Sequence, residues 1–295
     1  MSYLGQEIPK LGFGLMRLPM LGEDVDIEQT KQMVDKFLEA GFTYFDTAYG
    51  YLGGKSEEAV KTALVDRYPR ESFQLATKLP AWAGPTTAEE AKAMLQTSLK
   101  RTGAGYFDFY LLHNCGDERT AAFDKFGIWD YALEQKEKGV LKHVGFSFHD
   151  KADVLDELLT KHPEMEFVQL QINYADWEDS SVQSRKCYEV ARKHGKPVII
   201  MEPIKGGLLA TQPVADILQK ADPEKNLPSW ALRFAASLDG IITVLSGMST
   251  LGQMEENLAT MKNFQPLSQE ELEVIGQARE ALSKVPSIPC TSCQY

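Results

Sequence analysis

The sequence predicts an α/β fold in which eight parallel strands and the helices between them close into a (β/α)8 barrel, the TIM barrel. Apolar, strand-like runs alternate with amphipathic segments of helical period from one end of the chain to the other. Most of the apolar runs are continuous, as strands buried on both faces of a parallel sheet should be. No linker-like stretch, internal repeat or low-complexity segment interrupts the alternation, and 295 residues are enough for one such barrel.

A doubly wound open sheet is the alternative fold, because it also alternates strands with helices. Near the start of the chain, GFGLMR has Gly12 and Gly14 but Arg17 where the dinucleotide-binding fingerprint has a third glycine. We favour the barrel and expect it to span residues 1–284, followed by a short terminal segment, residues 285–295.

The elements can be assigned in chain order from their periodicity. The predicted strands are residues 11–16, 42–47, 73–78, 106–113, 143–148, 167–172, 197–202 and 241–247. The predicted helices are residues 26–40, 56–68, 87–101, 128–138, 151–161, 180–194, 228–238, 253–263 and 268–284. Ser56 and Ser268 precede acidic residues and are typical N-caps. Gly41 and Gly139 follow helix ends, where glycine is common.

The composition indicates an ordinary globular protein with an acidic surface. The sequence has 31 Lys and Arg against 42 Asp and Glu, a formal net charge of −11, and no basic cluster. Nucleic acid and anionic membranes are therefore not expected partners. No stretch approaches the roughly 18 apolar residues of a membrane span, and the start of the chain lacks the apolar core of a signal peptide. We expect a cytoplasmic protein, and the sequence does not predict its oligomeric state.

Four polar residues lie at or just past the ends of three predicted strands. They are Asp46 in FTYFD, Tyr51 five residues later, Lys78 in FQLATK and His113 in YFDFYLLH. The C-terminal ends of all strands of a barrel meet at one rim, where the active sites of such barrels lie. Each residue alone is compatible with a helix cap, a turn or a half-buried polar position. Their joint placement predicts a catalytic site.

This set of side chains suits the reduction of a carbonyl group, which needs a proton donor. The predicted donor is the phenol of Tyr51, whose unperturbed pKa is near ~10. Lys78 would lower that pKa toward neutral pH, because an adjacent cation favours the phenolate. Asp46 would hold Lys78 in place, and His113 would donate a hydrogen bond that orients the substrate carbonyl.

The chain resembles the aldo-keto reductase family along essentially its whole length. The matching segments are LGFGLMRLP, FDTAYGY, ATKLP, DFYLLHN, GFSFH, QINY and SGMS, the last followed by ENL. The resemblance implies that Asp46, Tyr51, Lys78 and His113 form the family's catalytic tetrad, with the tyrosine as general acid. It also implies a nicotinamide cofactor bound in an extended form at the rim. No metal site is predicted.

The resemblance further implies a set of cofactor-binding positions along the rim. They are Gly14, Met16, Arg17, Ser147, Gln171, Met201, Pro203, Lys205, Gly207, Gly247, Met248, Ser249, Gln253 and Asn257. Ser147 and Gln171 match residues that hydrogen-bond the nicotinamide carboxamide; the alternative is that they are polar strand ends satisfied by neighbouring loops. Two positions depart from the family. Phe148 replaces the usual Asn, and Met201 stands where an aromatic ring commonly stacks on the nicotinamide.

The favoured cofactor is NADP(H), because members of the family that the chain resembles commonly use it. NAD(H) is the alternative. Relatives that prefer NADPH usually have Lys or Arg beside the adenosine 2′-phosphate, but SGMSTLGQMEEN has neither and contains Glu255 and Glu256. A helix N-terminus can still bind phosphate through backbone N–H groups. Arg17 and Lys205 are the candidates for contact with the pyrophosphate. For Lys205, a solvated loop position is the alternative.

The C-terminal CTSC contains Cys290 and Cys293 and matches the start of a ferredoxin-type motif, C-x2-C-x2-C-x3-C-P. The third cysteine would directly follow Tyr295, so the motif is interpreted as truncated and no complete iron–sulfur site is expected in this chain. A subgroup of the family shares MEPIKGG and a C-terminal iron–sulfur segment; the alternative is a terminal CxxC without a role. Cys115 and Cys187 are expected to be reduced thiols.

We expect an enzyme that transfers a hydride from NAD(P)H to an aldehyde or ketone, a small-molecule carbonyl substrate, with Tyr51 supplying the proton. Two alternatives come from other classes: a non-catalytic nicotinamide-binding redox-sensing module, and an iron–sulfur-coupled electron-transfer protein in the untruncated form. The substrate is not predicted, because specificity depends on the loops after the strands. Trp82, Phe126 and Trp177 in these loops are candidates for an apolar pocket.

Overall fold

The computed structural model of the protein describes residues 3–5 and 7–285, apart from the side chain of residue 117. The strands in these ranges are β1 (Leu11–Gly14), β2 (Met20–Leu21), β3 (Asp24–Val25), β4 (Tyr44–Asp46), β5 (Gln74–Leu79), β6 (Phe107–Cys115), β7 (Leu141–Phe148), β8 (Phe167–Gln171), β9 (Val198–Met201) and β10 (Ile241–Gly247). Eight of them are parallel and close into a barrel in the order β1, β10, β9, β8, β7, β6, β5, β4, with β4 paired to β1. The predicted TIM barrel is confirmed, and the open-sheet alternative is wrong.

Helices surround the barrel. Those in the described ranges are α1 (Ile27–Glu39), α2 (Lys55–Val60), α3 (Ala88–Thr102), α4 (Asp117–Lys125), α5 (Ile128–Glu137), α6 (Ala152–Lys161), α7 (Ser184–Lys193), α8 (Val214–Ala221), α9 (Leu227–Ala236), α10 (Leu251–Lys262) and α11 (Gln269–Ser283). No helix in this part of the chain is both long enough and apolar enough to cross a lipid bilayer. Cys290 and Cys293, on which the prediction of a cluster segment depends, lie outside the described residues.

Two helices and one hairpin occur where the sequence predicts none. The segment DERTAAFDK of α4 is mostly charged or small, so it shows no clear apolar stripe. Helix α8 has only 8 residues, too few for helical periodicity to stand out in a window of about 11–18 residues. The β2–β3 hairpin has only 2 residues in each strand.

Several predicted boundaries differ from the structure, and three of them have a local reason. The first strand stops at Gly14, because Leu15–Arg17 form a 3-10 turn in which Leu15 is still buried. The predicted helix over residues 56–68 consists of α2 and a π-helical turn, Lys61–Val65. Helix α7 begins at Ser184, because the carboxylate of Asp179 accepts hydrogen bonds from backbone N–H groups before it and holds them in a turn.

The interior of the barrel is apolar at the bottom and polar at the C-terminal rim. Side chains alternate along each strand, so Phe109, Leu111 and His113 of β6 all point inward and His113 is the one nearest the rim. The lower interior is filled by buried side chains, including Tyr44, Phe109, Phe167 and Ile199, and is covered from below by Tyr3, Leu4 and Ile8. The four predicted catalytic residues therefore lie at the rim end of the barrel.

Candidate active site

The structure brings the four predicted catalytic residues together at the rim. Asp46 and Lys78 are inward-facing residues of adjacent strands, and Lys78 Nζ donates hydrogen bonds to Asp46 Oδ1 and, at 2.8 Å, to the carbonyl of Thr47. Lys78 Nζ lies 4.8 Å from the ring centroid of Tyr51. The rings of Tyr51 and His113 meet edge to face with their centroids 5.8 Å apart. Tyr51 therefore lies next to both the cation and the imidazole.

The loop that carries Tyr51 is fixed to the neighbouring strand. The backbone N–H of Thr47 donates to the carbonyl of Ala76 at 2.9 Å, and that of Tyr49 donates to Lys78 at 3.1 Å. The chain then turns sharply through Leu52, with φ 52°, and two glycines that also have positive φ. Glycine adopts this left-handed conformation readily. The loop thus places the phenol over the barrel instead of continuing the strand.

A buried ion pair supports this loop from behind. Glu57 is fully buried and accepts hydrogen bonds from Thr77 Oγ1 at 2.7 Å and from Arg101 Nη1 at 3.2 Å. Arg101 also donates to the carbonyl of Tyr49 at 2.9 Å. Its guanidinium packs so closely that a Cβ on Gly54 would lie 2.8 Å from Arg101 Cζ. The loop is therefore tied to α3 as well as to β5.

Replacing Arg101 with methionine should destabilise the fold, because the buried carboxylate of Glu57 would lose its cation. We expect a loss of about 3 kcal/mol in the free energy of unfolding, at the low end for buried pairs because 25% of the Arg101 side chain is exposed. Urea denaturation followed by circular dichroism measures this loss. The control is Lys61→Met, which removes an exposed pair with Asp66 worth about 0–1 kcal/mol. Equal losses in the two variants would contradict the assigned role.

The electrostatics of the tetrad differ from the sequence-based prediction in one respect. Burial raises the pKa of Tyr51 above its usual value, and Lys78 lowers it only in part. Lys78 thus lowers the pKa of Tyr51, as predicted, but the loss of hydration raises that pKa by more. Burial also raises the pKa of Asp46, which Lys78 opposes. The pKa of Lys78 is raised, since Asp46 and Tyr51 together outweigh the effect of burial.

His113 is held as a neutral imidazole. Burial lowers its pKa well below 6.5, and the positive charge of Lys78 acts in the same direction. Its Nδ1 atom is buried and has no hydrogen-bond partner among the described residues. Its carbonyl oxygen accepts a hydrogen bond from Trp82 Nε1 at 2.7 Å, and the two rings lie 6.4 Å apart. Trp82 therefore forms part of the wall beside His113.

The other two aromatic candidates pack away from the tetrad. Phe126 is buried in the main hydrophobic core. Trp177 packs against Tyr188 of α7 and Phe234 of α9, with ring centroids 5.7 and 5.6 Å apart. These contacts are those of ordinary core packing.

Ser147 and Gln171 both face the rim but already have protein partners. Ser147 Oγ accepts a hydrogen bond from the backbone N–H of Asn114 at 2.8 Å. Gln171 Nε2 donates to Asp176 Oδ2 at 2.9 Å. Met201, the next inward residue on β9, is partly buried against the inner core. A bound nicotinamide would meet these three side chains where β7, β8 and β9 end.

Arg17 lies across the glycines of the rim. Its side chain packs on Gly247, where an added Cβ would lie 3.5 Å from Arg17 Cδ, and its guanidinium approaches Gly206. Gly14 is paired with Asp46 on one side and Gly247 on the other. Arg17 and its neighbour Met16 are exposed. A cation beside uncovered backbone is a suitable place for a diphosphate.

Lys205 is less available to a ligand than Arg17. Its ammonium forms an ion pair with Asp176, whose carboxylate is almost fully buried. Asp176 also accepts from Asn173 Nδ2 at 2.7 Å. Pro203 is buried before Lys205, and Gly207 after it has φ 99°. A contact between Lys205 and the pyrophosphate would therefore compete with a built-in ion pair.

The start of α10 offers hydroxyl and amide groups. Thr250 caps the helix, accepting from the backbone N–H of Gln253 at 3.2 Å, while the side chain of Gln253 accepts from the N–H of Ser249 at 2.8 Å. Asn257 is buried and donates to Ser246 Oγ at 3.0 Å. Met248 is fully buried, so any cofactor contact it makes would come from its backbone.

The acids of α10 do not all face this end. Glu255 forms an ion pair with Lys36 of α1, with Nζ and Oε1 2.8 Å apart. Its charge is therefore partly neutralised across the α1–α10 interface.

Known proteins resemble this chain along most of its length. Residues 10–280 match the model of the aldo/keto reductase family. The chain belongs to the aldo/keto reductase family. It is 26% identical to L-galactose dehydrogenase of Arabidopsis thaliana over 306 residues, 96% of this chain and 91% of that protein. It is 22% identical to the uncharacterized oxidoreductase YqkF of Bacillus subtilis, covering 91% of this chain and 92% of that protein.

Solved aldo-keto reductases share the fold. One from Bacillus halodurans, in its holo form, superposes with a TM-score of 0.75 at 24% identity and covers 93% of both chains. One from Klebsiella pneumoniae, solved in complex with NADPH, superposes with a TM-score of 0.70 at 21% identity and covers 92% of this chain and 90% of its own. At this level of identity the likeness establishes the fold.

Three residues near the tetrad of this aldo/keto reductase escape the sequence reasoning. His149 directly follows β7; although its side chain is exposed, it is crowded by protein, and this desolvation lowers its pKa to about 4. Glu202 follows β9 with φ 55°; its side chain is exposed, but crowding by neighbouring protein groups raises its pKa. Arg119 of α4 lies beside Trp82, with Cζ 5.1 Å from the ring centroid. The inward alternation of β7 could have identified His149; the other two positions require the tertiary structure.

Proposed function

We propose that this protein reduces an aldehyde or ketone to an alcohol by hydride transfer from a reduced nicotinamide cofactor, with Tyr51 as the general acid. The observation that supports this proposal is the convergence of Tyr51, Lys78, Asp46 and His113 at the rim. Family membership supports an oxidoreductase. The assignment of roles within the tetrad is our inference from the geometry and charges.

The roles follow from the protonation states. Because burial raises the pKa of Tyr51, the phenol is protonated at neutral pH and can donate its proton to the carbonyl oxygen. Lys78 then stabilises the phenolate that remains. His113 is neutral and has no acceptor at Nδ1 among the described residues. Its N–H is therefore best placed on Nε2, from which it can donate a hydrogen bond that orients the substrate.

The described residues of the rim fit an extended dinucleotide. A reduced nicotinamide supplies a hydride when it is bound. Ser147 and Gln171 would hold its carboxamide, and the partly buried side chain of Met201 would lie beneath the ring. Arg17, packed on Gly247, would face the diphosphate. The hydroxyl and backbone N–H groups at the start of α10 would bind the adenosine phosphate.

The direct test is a panel of aldehydes and ketones with NADPH and NADH, following the absorbance of the reduced nicotinamide. We expect oxidation of the cofactor that depends on the carbonyl compound and on an intact Tyr51. A non-catalytic redox-sensing module would bind the cofactor without turning over any member of the panel.

The cofactor preference should be weak. The segment from residue 246 to residue 253 has no Lys or Arg, and a single charge-assisted hydrogen bond is worth about 1.5–3 kcal/mol. We therefore expect NADPH to bind at most about tenfold more tightly than NADH. Dissociation constants for both, from quenching of protein fluorescence at low and high salt, measure the ratio.

A strong preference for NADPH that weakens with salt would contradict this expectation. Arg17→Met then tests whether Arg17 is the source of the preference for NADPH. Arg17 lies close to the start of α10, since its backbone carbonyl accepts a hydrogen bond from Ser249 Oγ at 2.8 Å. Lys55→Met is the matched control, since it removes a cation that pairs with Asp24 at 2.8 Å on the hairpin.

The likeness to the iron–sulfur subgroup remains a prediction. We propose to test it by measuring iron and labile sulfide in the protein produced from its full-length gene. A cluster that accepts electrons in that form would favour an electron-transfer role, and its absence would leave carbonyl reduction as the function to pursue.

A further inference from the structure

A guanidinium that has no carboxylate partner among the described side chains lies beside the tetrad. Arg119 is half-buried on α4, the helix that follows the strand of His113. Its Cζ lies 5.1 Å from the ring centroid of Trp82, and that ring lies 6.4 Å from the ring of His113. The indole thus connects the cation to the place where the carbonyl would react.

Most of the donors of Arg119 are unused by the described residues. Nη1 donates to Asn114 Oδ1 at 3.3 Å, and no carboxylate of the described side chains lies within ion-pair distance of the guanidinium. Arginine has five N–H donors in a planar fork that matches a carboxylate or a phosphate. Several of these donors therefore remain for a ligand.

Most of the other arginines of the protein are paired with a carboxylate. Five of them contact a carboxylate within 3.2 Å: Arg67 with Asp35, Arg70 with Asp108, Arg101 with Glu57, Arg185 with Glu178 and Arg233 with Glu271. The chain as a whole has an excess of acids, with a net charge of −11. The lack of a carboxylate partner for Arg119 among the described side chains is thus not explained by a shortage of acidic residues.

The charge of Arg119 reaches the reactive groups. It contributes, after burial, to the lowered pKa of both His113 and His149. Lys78, the cation next to Tyr51, is already paired with buried Asp46 and is not available to an anion. Near the opening, Arg119 is the cation best placed to attract a negatively charged group.

We propose that Arg119 binds an anionic group of the substrate, and that the substrates are aldehydes or ketones with a carboxylate or phosphate a few carbon atoms from the carbonyl. The carbonyl would lie between Tyr51 and His113, the anion on Arg119, and the linking carbons against Trp82. This inference rests on the proposed carbonyl reduction and adds the class of substrate.

The test compares two matched pairs of aldehydes, butanal with 4-oxobutanoate and D-glyceraldehyde with its 3-phosphate. In Arg119→Met, the ratio of kcat/KM for the anionic member to that for the neutral member should fall about 10- to 100-fold, mainly through KM. Arg119→Lys should retain part of the ratio, because it keeps the charge without the fork. Lys125→Met, which removes a cation from the same helix, should leave the ratio unchanged.

The outcomes separate the two levels of inference. Reduction of the neutral aldehydes with an unchanged ratio in Arg119→Met would overturn the role of Arg119 and leave the proposed function standing. Reduction of none of the four compounds, nor of any other carbonyl compound in the panel, would refute both. The pair with the larger loss identifies carboxylate or phosphate as the preferred anion.

The salt dependence of KM in the unmodified protein tests the proposal without any substitution that could disturb folding. Raising the KCl concentration should raise KM for the anionic aldehydes more than for the neutral ones, because salt screens the attraction to Arg119. An equal effect of salt on both members of each pair would count against the proposal.

Discussion

Replacing Tyr51 with phenylalanine should lower kcat for carbonyl reduction by about 10²–10⁴-fold, the usual contribution of a positioned acid. The substitution removes the phenolic proton and keeps the ring, so the packing against His113 and Lys78 is retained. The dissociation constant for the reduced cofactor should stay close to that of the unmodified protein. Steady-state kinetics and fluorescence titration of the same preparation measure the two quantities.

The matched control is Tyr49→Phe, which removes a phenol two residues earlier in the same loop. The ring of Tyr49 packs under Arg101, with the centroid 4.5 Å from Cζ, and its hydroxyl has no part in the tetrad. We expect a small effect on kcat. If Tyr51→Phe kept most of the turnover while a deuterated hydride donor showed that chemistry limits the rate, Tyr51 could not be the acid.

Replacing Lys78 with methionine should also lower kcat strongly, by about 10²–10⁴-fold, the usual contribution of general acid catalysis. The falling limb of the pH–rate profile for reduction should move to higher pH. Reduction requires the protonated phenol, and Lys78 lowers the pKa of Tyr51, so its removal raises that pKa. The profile should be measured with the cofactor saturating.

Lys78→Met also leaves Asp46 buried without its cation, at a cost of about 3–5 kcal/mol to the fold. The double variant Asp46→Asn, Lys78→Met removes both charges and should fold better. Its profile should still shift upward, because Lys78 affects the pKa of Tyr51 more than Asp46 does. An unchanged profile in both variants would mean that the lysine does not tune the phenol.

The barrel could be predicted from the sequence because strands buried on both faces are continuous apolar runs. Such runs can be recognised without knowing which segments pack against them. Helix α4 shows the limit of this reasoning. Its apolar residues are too few for a stripe, and it is held by the burial of Phe123 and by its position after β6. Such an element depends on tertiary contacts.

The meeting of Asp46, Tyr51, Lys78 and His113 at the rim could be predicted because each lies at or just past the end of a predicted strand. Arg119 could not, since a charged residue in a surface segment gives no sign that Trp82 will lie beneath it. The pKa of Tyr51 could not be predicted either. Its direction depends on the balance between burial and the charge of Lys78, and burial is a property of the folded chain.

The filled lower interior of the barrel limits how Tyr51, the proposed acid, can regain its proton after each turnover. Phe109 and Phe167 fill the space below the tetrad, and Tyr3, Leu4 and Ile8 close it from beneath. Among the described residues, this packing leaves the rim as the route by which water reaches Tyr51. We expect the phenolate left after each turnover to regain its proton through the opening that the alcohol must vacate, so product departure and reprotonation share one route.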